Sequence, residues 1–372
     1  MRNAVGCKGV RIIICAKIVQ MREQLFSFAY RASRSLLKCL VSATQLLCAK
    51  PSDLESVITI GKKGITLLNK SPFKALVSSF STPKHAAVTV HDLHFDSPLT
   101  FSAYESHFDL LEFFLNLGAG GGALKTMMAE KRSGNSRPRI QELYYKGEKS
   151  LVNAMGLPGY GVDAFVKELL ASKVLSKRKP LGLSIGGESV DEYMQAFEKY
   201  QRLLGGLDYP FYYEVNISCP NTDSGQDLSK NVNLLKDFIQ QMRASTSRVI
   251  SVKLSPDQSD EELLSTAKML QGFEKIVINV GNTQFKSKQE LGLKGHLLPR
   301  EGGGLSGPVL FKRTLNMLTL LKPFGIPLIA TGGINSVLRA KEALQAGATL
   351  IGMATALAFD PYIIVRINKA LK

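Results

Sequence analysis

Cys219 is the residue with the most chemistry to offer. The chain has five cysteines; Cys7, Cys15, Cys39 and Cys48 lie in the first fifty residues, and the remainder holds only this one. It closes the run Tyr212-Tyr213-Glu214-Val215-Asn216-Ile217-Ser218-Cys219-Pro220-Asn221-Thr222, which starts apolar and aromatic, breaks at a proline and turns polar. Asn216 and Asn221 carry amides that both donate and accept. A thiol between two such amides, at the end of a buried strand, can move a proton beside a bound polar ring once it ionises. The bland alternative is a buried cysteine serving as a small apolar residue. No CxxC pair or Cys/His spacing suits a zinc ion, and the five histidines form no metal pattern. Nor does the cysteine count describe a disulfide framework.

Other polar residues end apolar runs in the same way. Lys125-Thr126 closes one; a lysine there is either solvated or faces an anion. Lys253, in Val252-Lys253-Leu254-Ser255-Pro256, lies within an apolar strand and must pair with something. Asn279 and Asn282, in Ile278-Asn279-Val280-Gly281-Asn282-Thr283, add two amides. Asn153-Ala154-Met155-Gly156-Leu157-Pro158 reads as a turn, and Gly303-Gly304-Leu305-Ser306-Gly307 as a flexible loop. Thr331-Gly332-Gly333-Ile334 and Met353-Ala354-Thr355-Ala356 each follow an apolar run. A single Gly-Gly is more often a turn than a cradle, but two such segments at successive strand ends point to a phosphate held by backbone N–H groups.

These residues need a scaffold that brings strand ends together. From Phe95 onward, apolar β-type runs alternate with helical ones, as in βα units around a parallel sheet. The strands expected are Leu99–Ser102, Ala123–Thr126, Leu181–Ile185, Phe211–Ile217, Val249–Leu254, Lys275–Val280, Pro327–Thr331 and Thr349–Met353. Helices are expected at Val190–Leu204, Asn231–Arg243, Asp260–Leu270 and Val337–Ala346. Eight strands at this spacing predict an α/β fold, a (β/α)8 TIM barrel, which takes ~250 residues and works at its strand C-terminal ends. No GxGxxG joins a first strand to a helix, and no Gly-x-Ser-x-Gly elbow appears.

About a hundred residues precede the barrel, so residues 1–94 are read as an N-terminal extension and 95–372 as the barrel. The chain has 372 residues and a formal charge of +16, and residues 1–80 hold thirteen Lys and Arg against three acids. Excess concentrated in an extension argues against a nucleic-acid face and suits a membrane surface or an anionic substrate. Tyr30–Lys50 reads as a basic amphipathic helix and Asp53–Leu68 as a second one. Three readings of this segment stand: a transit peptide, which places the protein in mitochondria; a helix lying on a membrane; or a plain docking helix in a cytoplasmic protein. No apolar run approaches the ~18 residues of a spanning helix.

The segment Glu214-Val215-Asn216-Ile217-Ser218-Cys219-Pro220-Asn221 resembles the active-site segment of dihydroorotate dehydrogenases, FMN-dependent barrels that oxidise dihydroorotate to orotate in pyrimidine synthesis. The resemblance spans roughly residues 95–372. It implies that Cys219 is the base that removes the C5 proton while hydride leaves C6 for the flavin. That base is cysteine in class 1 enzymes and serine in the membrane-bound, quinone-dependent class 2. Resemblance to the family turn implies that Asn153 and the backbone of Met155, Gly156 and Leu157 hold the substrate carboxylate, with Lys125 beside it. Asn216, Asn221, Asn282 and Thr283 would hold the ring; Asn282 fits the class 2 register and Asn279 the class 1 register. Ser102, Ala103, Lys125, Thr126, Asn216 and Lys253 would line FMN, and Gly307, Gly332, Gly333, Ala354 and Thr355 its phosphate. The acceptor implied is fumarate, a quinone or another oxidant, and a homodimer is compatible. One departure is Tyr104, where the family has glycine: its phenol either stacks against the flavin or turns away. Two rivals remain, a dihydrouridine synthase-like tRNA-modifying flavoenzyme and a barrel that binds FMN without catalysis.

Overall fold

The computed structural model describes residues 3–217 and 225–371, with side chains described for 17–217 and 228–371. Cys219 and Asn221 therefore lie outside the described residues. Eight parallel strands close into a barrel in chain order: Leu99–Phe101, Gly121–Ala123, Leu181–Ile185, Phe211–Asn216, Ile250–Leu254, Ile276–Val280, Leu328–Thr331 and Leu350–Met353. Buried on both faces, they read in sequence as nearly unbroken apolar runs. Only the second departs noticeably from expectation. It begins at Gly121, because glycines give no apolar signal although these two are buried strand residues. Beyond it the chain still follows the third strand, with Met127 bridging Ile185.

Between strands the chain returns through outer helices such as Val190–Leu204, capped by Ser189, and Asp260–Leu270, whose Ser259 and Glu262 form a capping box. A hairpin of Val88–Val90 and Leu93–Phe95 precedes the first strand. Its Val90, Leu93 and Phe95 pack with Tyr212, Val249, Val277, Ile329 and Leu350 and floor the barrel at the strands' N-terminal end.

A second sheet is built from insertions after the second and sixth barrel strands. It runs Gln284–Ser287, Gly302–Ser306, Glu148–Asn153, Ile140–Tyr145, antiparallel throughout. The segment expected to be a flexible loop, Gly303 to Ser306, is thus a strand paired on both sides. A Cβ on Gly304 would stand 2.1 Å from Thr283 Oγ1, so glycine is what lets this strand approach the sixth barrel strand's exit.

The extension forms a helix over Asn3–Leu47, longer than the one expected from Tyr30, and a second over Leu54–Lys70 with Asp53 as its N-cap. Pro51 lies in the break between them. The long helix is pinned to the barrel by Glu23 to Arg366 (2.6 Å) and Ser27 to Asp360 (2.7 Å). It meets the small sheet through Arg34 and Lys38, both on Glu142. The second helix continues that seam, with Glu55 on Arg139 at 2.8 Å and Asp53 on Arg137 at 2.6 Å.

Candidate active site

Register places three polar side chains in one layer. Asn216 lies opposite Lys253, and Lys253 opposite Asn279, across strands four, five and six. Alternation along the fourth strand puts Tyr212, Glu214 and Asn216 inside the barrel, with Tyr213 and Val215 in the shell of core behind it. Asn216 Nδ2 donates to Thr126 Oγ1 (3.0 Å), and Asn282 Nδ2 donates to Asn216 Oδ1 (3.2 Å). Asn282 Oδ1 in turn accepts the Thr283 N–H (2.8 Å). Tyr193 OH fixes the backbone of Asn216 by donating to its carbonyl at 2.8 Å. Lys253 is 5 % exposed, and its Nζ lies 4.0 Å from Glu214 Oε1.

The turn at Asn153 hangs over this layer. Asn153 lies opposite Gly304 in the small sheet and donates to its carbonyl, while its own Oδ1 accepts the Met155 N–H at 3.4 Å. Asn135 Nδ2 donates to Ala154 O and Arg132 Nε to Gly156 O, so the 129–139 loop clamps the turn. Leu157 adopts a left-handed φ of 50°, uncommon for a residue with a Cβ. That conformation sends the chain into Pro158 and leaves Met155, Gly156 and Leu157 strung along one bend.

On the opposite side, Ser102 Oγ and Thr331 Oγ1 are buried and have no hydrogen-bond partner among the described residues; so is Asn279 Oδ1. A Cβ on Gly352 would meet Thr331 Oγ1 at 2.2 Å and Ser102 Oγ at 2.9 Å, so these hydroxyls gather over one glycine. Buried hydroxyls with no partner await one. Beside them, Gly333 turns with φ 75°, and Thr355 Oγ1 lies 2.9 Å from Ser306 Oγ, tying the loop after strand eight to the segment that ends at Gly307. A ligand with a polar ring system and an anionic tail fits both features, as FMN does. Tyr104 belongs to neither. Its ring packs on the outer core, its hydroxyl is buried without a partner among the described residues, and burial, Glu105 and Tyr30 of the long helix push its pKa well up. The phenol thus sits at the seam between barrel and extension.

Sequence reasoning passed over Glu214 and Ser184. Glu214 is fully buried, accepting from Asn279 Nδ2 at 2.8 Å and from Ser184 Oγ at 3.3 Å. The available signal was a lone charge inside an apolar strand, in phase with Asn216.

Against known proteins, the family model for dihydroorotate dehydrogenase matches residues 85–372. The chain belongs to the dihydroorotate dehydrogenase family. It is 28 % identical over 291 residues to the dihydroorotate dehydrogenase (quinone) of Nautilia profundicola, covering 76 % of this chain and 77 % of that one. The counterpart from Kocuria rhizophila is 29 % identical over 347 residues, covering 86 % and 94 %. Among solved structures, a dihydroorotate dehydrogenase of Eimeria tenella in complex with ferulenol superposes with a TM-score of 0.69 at 19 % identity, over 84 % of this chain and 90 % of that one; it speaks for the fold. Membership of the dihydroorotate dehydrogenase family makes this an FMN-dependent oxidoreductase that acts on the CH–CH bond of dihydroorotate, in pyrimidine biosynthesis. It sets aside the tRNA-modifying reading of the same barrel.

Proposed function

We propose that the chain oxidises dihydroorotate to orotate with Cys219 as the base and passes the electrons to a quinone at a membrane surface. The observation that carries the reading is the hydrogen-bonded chain Asn282–Asn216–Thr126 at the barrel mouth, two amides and a hydroxyl, with Lys253 beside it and Cys219 three residues beyond Asn216. FMN, when bound, supplies the acceptor for the hydride leaving C6. Cys219 takes the C5 proton as its thiolate, so the rate rises as the thiol ionises. Asn153 and the backbone N–H groups of Met155, Gly156 and Leu157 receive the substrate carboxylate, and Lys125 counters its charge. Asn216, Asn221, Asn282 and Thr283 hold the pyrimidine. Ser102, Ala103 and Thr126 line the flavin, and Lys253 offers it a fixed positive charge. Gly307, Gly332, Gly333, Ala354 and Thr355 take its phosphate.

Two observations support the quinone and the membrane. The relatives above carry quinone in their names. The long helix also exposes Ile18, Met21, Leu25, Phe28, Leu36 and Leu40, whose spacings of three, four and eight put them along one stripe, among basic residues. No helix among the described residues is long and apolar enough to cross a membrane, so contact would be peripheral. Residues 1–94 form the membrane-facing part in this reading, and 95–372 the catalytic barrel.

The test is Cys219→Ser, followed by stopped-flow reduction of the bound flavin by dihydroorotate. Reduction should slow strongly at neutral pH and recover in part at high pH, because a hydroxyl replaces a thiol of reference pKa ~8.5. Reduction at the parent rate would remove Cys219 from the role.

A further inference from the structure

Glu214 is a carboxylate in the middle of a barrel, and the reaction as described gives it nothing to do. It is fully buried. Its neighbours are Lys253 Nζ at 4.0 Å, Asn279 Nδ2 at 2.8 Å and Ser184 Oγ at 3.3 Å. An ionised carboxylate in that place is expensive unless every partner donates to it. A core filled by an apolar residue would avoid that cost, so the question is what the charge achieves.

Counting protons answers it. A carboxylate accepts hydrogen bonds and donates none. Ser184 has one hydroxyl proton, and next to Glu214 that proton must point at the carboxylate. Ser184 Oγ and Thr126 Oγ1 are 2.9 Å apart, so Thr126 has to be the donor in that pair. With its own proton spent, Thr126 Oγ1 can only accept from Asn216, which must therefore turn its Nδ2 inward (3.0 Å). Its Oδ1 then faces outward and accepts from Asn282 Nδ2 (3.2 Å), and Asn282 Oδ1 is left to accept the Thr283 N–H. The four hydrogen bonds run in one sense between two fixed ends, the Glu214 carboxylate, which only accepts, and the Thr283 N–H, which only donates. A second, shorter branch works alike. Asn279 gives its Nδ2 to Glu214, which leaves its Oδ1 as the buried acceptor with no partner among the described residues.

We propose that Glu214 is a positioning residue: directly it fixes which atom of Asn279 faces the substrate, and through Ser184 and Thr126 it locks, against the Thr283 N–H at the far end, the sense in which Asn216 and Asn282 are held. The site then meets the pyrimidine with its donors and acceptors already sorted, without an amide flip on binding. This rests on the reading above, in which those amides hold the ring. Glu214→Gln keeps size and shape but breaks the logic. Its amide has one accepting oxygen and one donating nitrogen, so it can receive Ser184 or Asn279 but not both: the shorter branch must then flip Asn279, or the longer one must lose a hydrogen bond, since the Thr283 N–H at its end cannot turn acceptor. Ser184→Ala leaves the charge in place and cuts the longer branch alone.

The experiment measures orotate binding to the FMN-loaded protein, from the perturbation of flavin absorbance, together with dihydroorotate kinetics. Glu214→Gln and Ser184→Ala should each weaken orotate by about tenfold, the scale of one misplaced hydrogen bond. KM should rise by more than kcat falls. The double variant should bind no worse than the weaker single one, since both act through one chain. Losses that multiply, or orotate bound by both single variants as by the parent, overturn the proposal. Should Glu214→Gln not yield flavin-loaded protein, Ser184→Ala decides alone by the same criterion. Asn282→Ala separates the two levels. If it binds orotate as the parent does, the amides do not hold the ring and both readings fall. If it weakens binding while the other two variants do not, only the role of Glu214 falls.

Discussion

Two carboxylates, Glu214 inside the barrel and Glu142 at the seam with the extension, meet cations in opposite ways. Glu142 draws in three: Arg34 at 2.6 Å, Lys38 at 2.8 Å and Lys149 at 3.1 Å. Their side chains stay 15–38 % exposed, so the cations keep part of their hydration while, against the burial that would raise it, Lys38, Arg34 and Lys149 hold the Glu142 carboxyl down at about 2. Among the described residues, Glu214 has one cation, at 4.0 Å, and otherwise only neutral donors. Coulomb attraction in the interior is largely offset by desolvation. The seam charge thus serves attachment, and the interior charge serves orientation.

That contrast breaks most sharply at Lys253. Lys253→Met should destabilise the protein by about 3–5 kcal/mol, because it strands a buried carboxylate. Adding Glu214→Leu should restore much of the loss even though another charge is gone. Urea unfolding of the single and double variants checks this, and a double variant less stable than the single would mean that the pair attaches rather than orients.

Between the two regions lies the small sheet. Gly304→Ala pushes a methyl against Thr283 from a strand held on both sides, and should cost about 1–3 kcal/mol in thermal unfolding. The loss of dihydroorotate turnover should exceed what that destabilisation explains, since Asn153 and Thr283 are both displaced.

The smallest effect is expected at the seam. Glu142→Gln should cost about 1 kcal/mol or less per ion pair lost, with less effect in high salt. Its folded pKa lies below the ordinary 4.5, so its contribution is complete above about 4.5 and disappears as pH falls through about 2. Hydrogen-exchange protection of residues 17–47 should hold steady from pH 8 to 5, then fall, and in Glu142→Gln it should lack that acid-side decline.

The barrel was legible in the sequence because a strand buried on both faces is an apolar run, and its end is wherever polarity resumes. Lys125, Asn216 and Gly332 stand where polarity resumes and Lys253 is a charge inside a run, which is how the sequence marks them as candidates. The small sheet was not, since a strand of Gly302, Gly303 and Gly304 has no side-chain alternation and its partners lie far away in the chain. Glu214 was visible as an anomaly, but its meaning depends on Ser184 and Asn279, thirty and sixty-five residues distant. Tyr104 stood out as a misfit, and only the long helix reveals where its hydroxyl goes.

The hairpin of the small sheet has a mechanical consequence. Its first strand carries Glu142, which grips the long helix; Glu142 lies opposite Leu151, two residues from Asn153 on the second strand. The grip on the helix and the clasp proposed for the carboxylate are thus roughly 7 Å apart along one stiff ladder. A pull or tilt applied to the helix at a bilayer would not dissipate in a loop; it would arrive at Asn153 as strain. If the extension rests on a bilayer, the hairpin is the load path from that contact to Asn153.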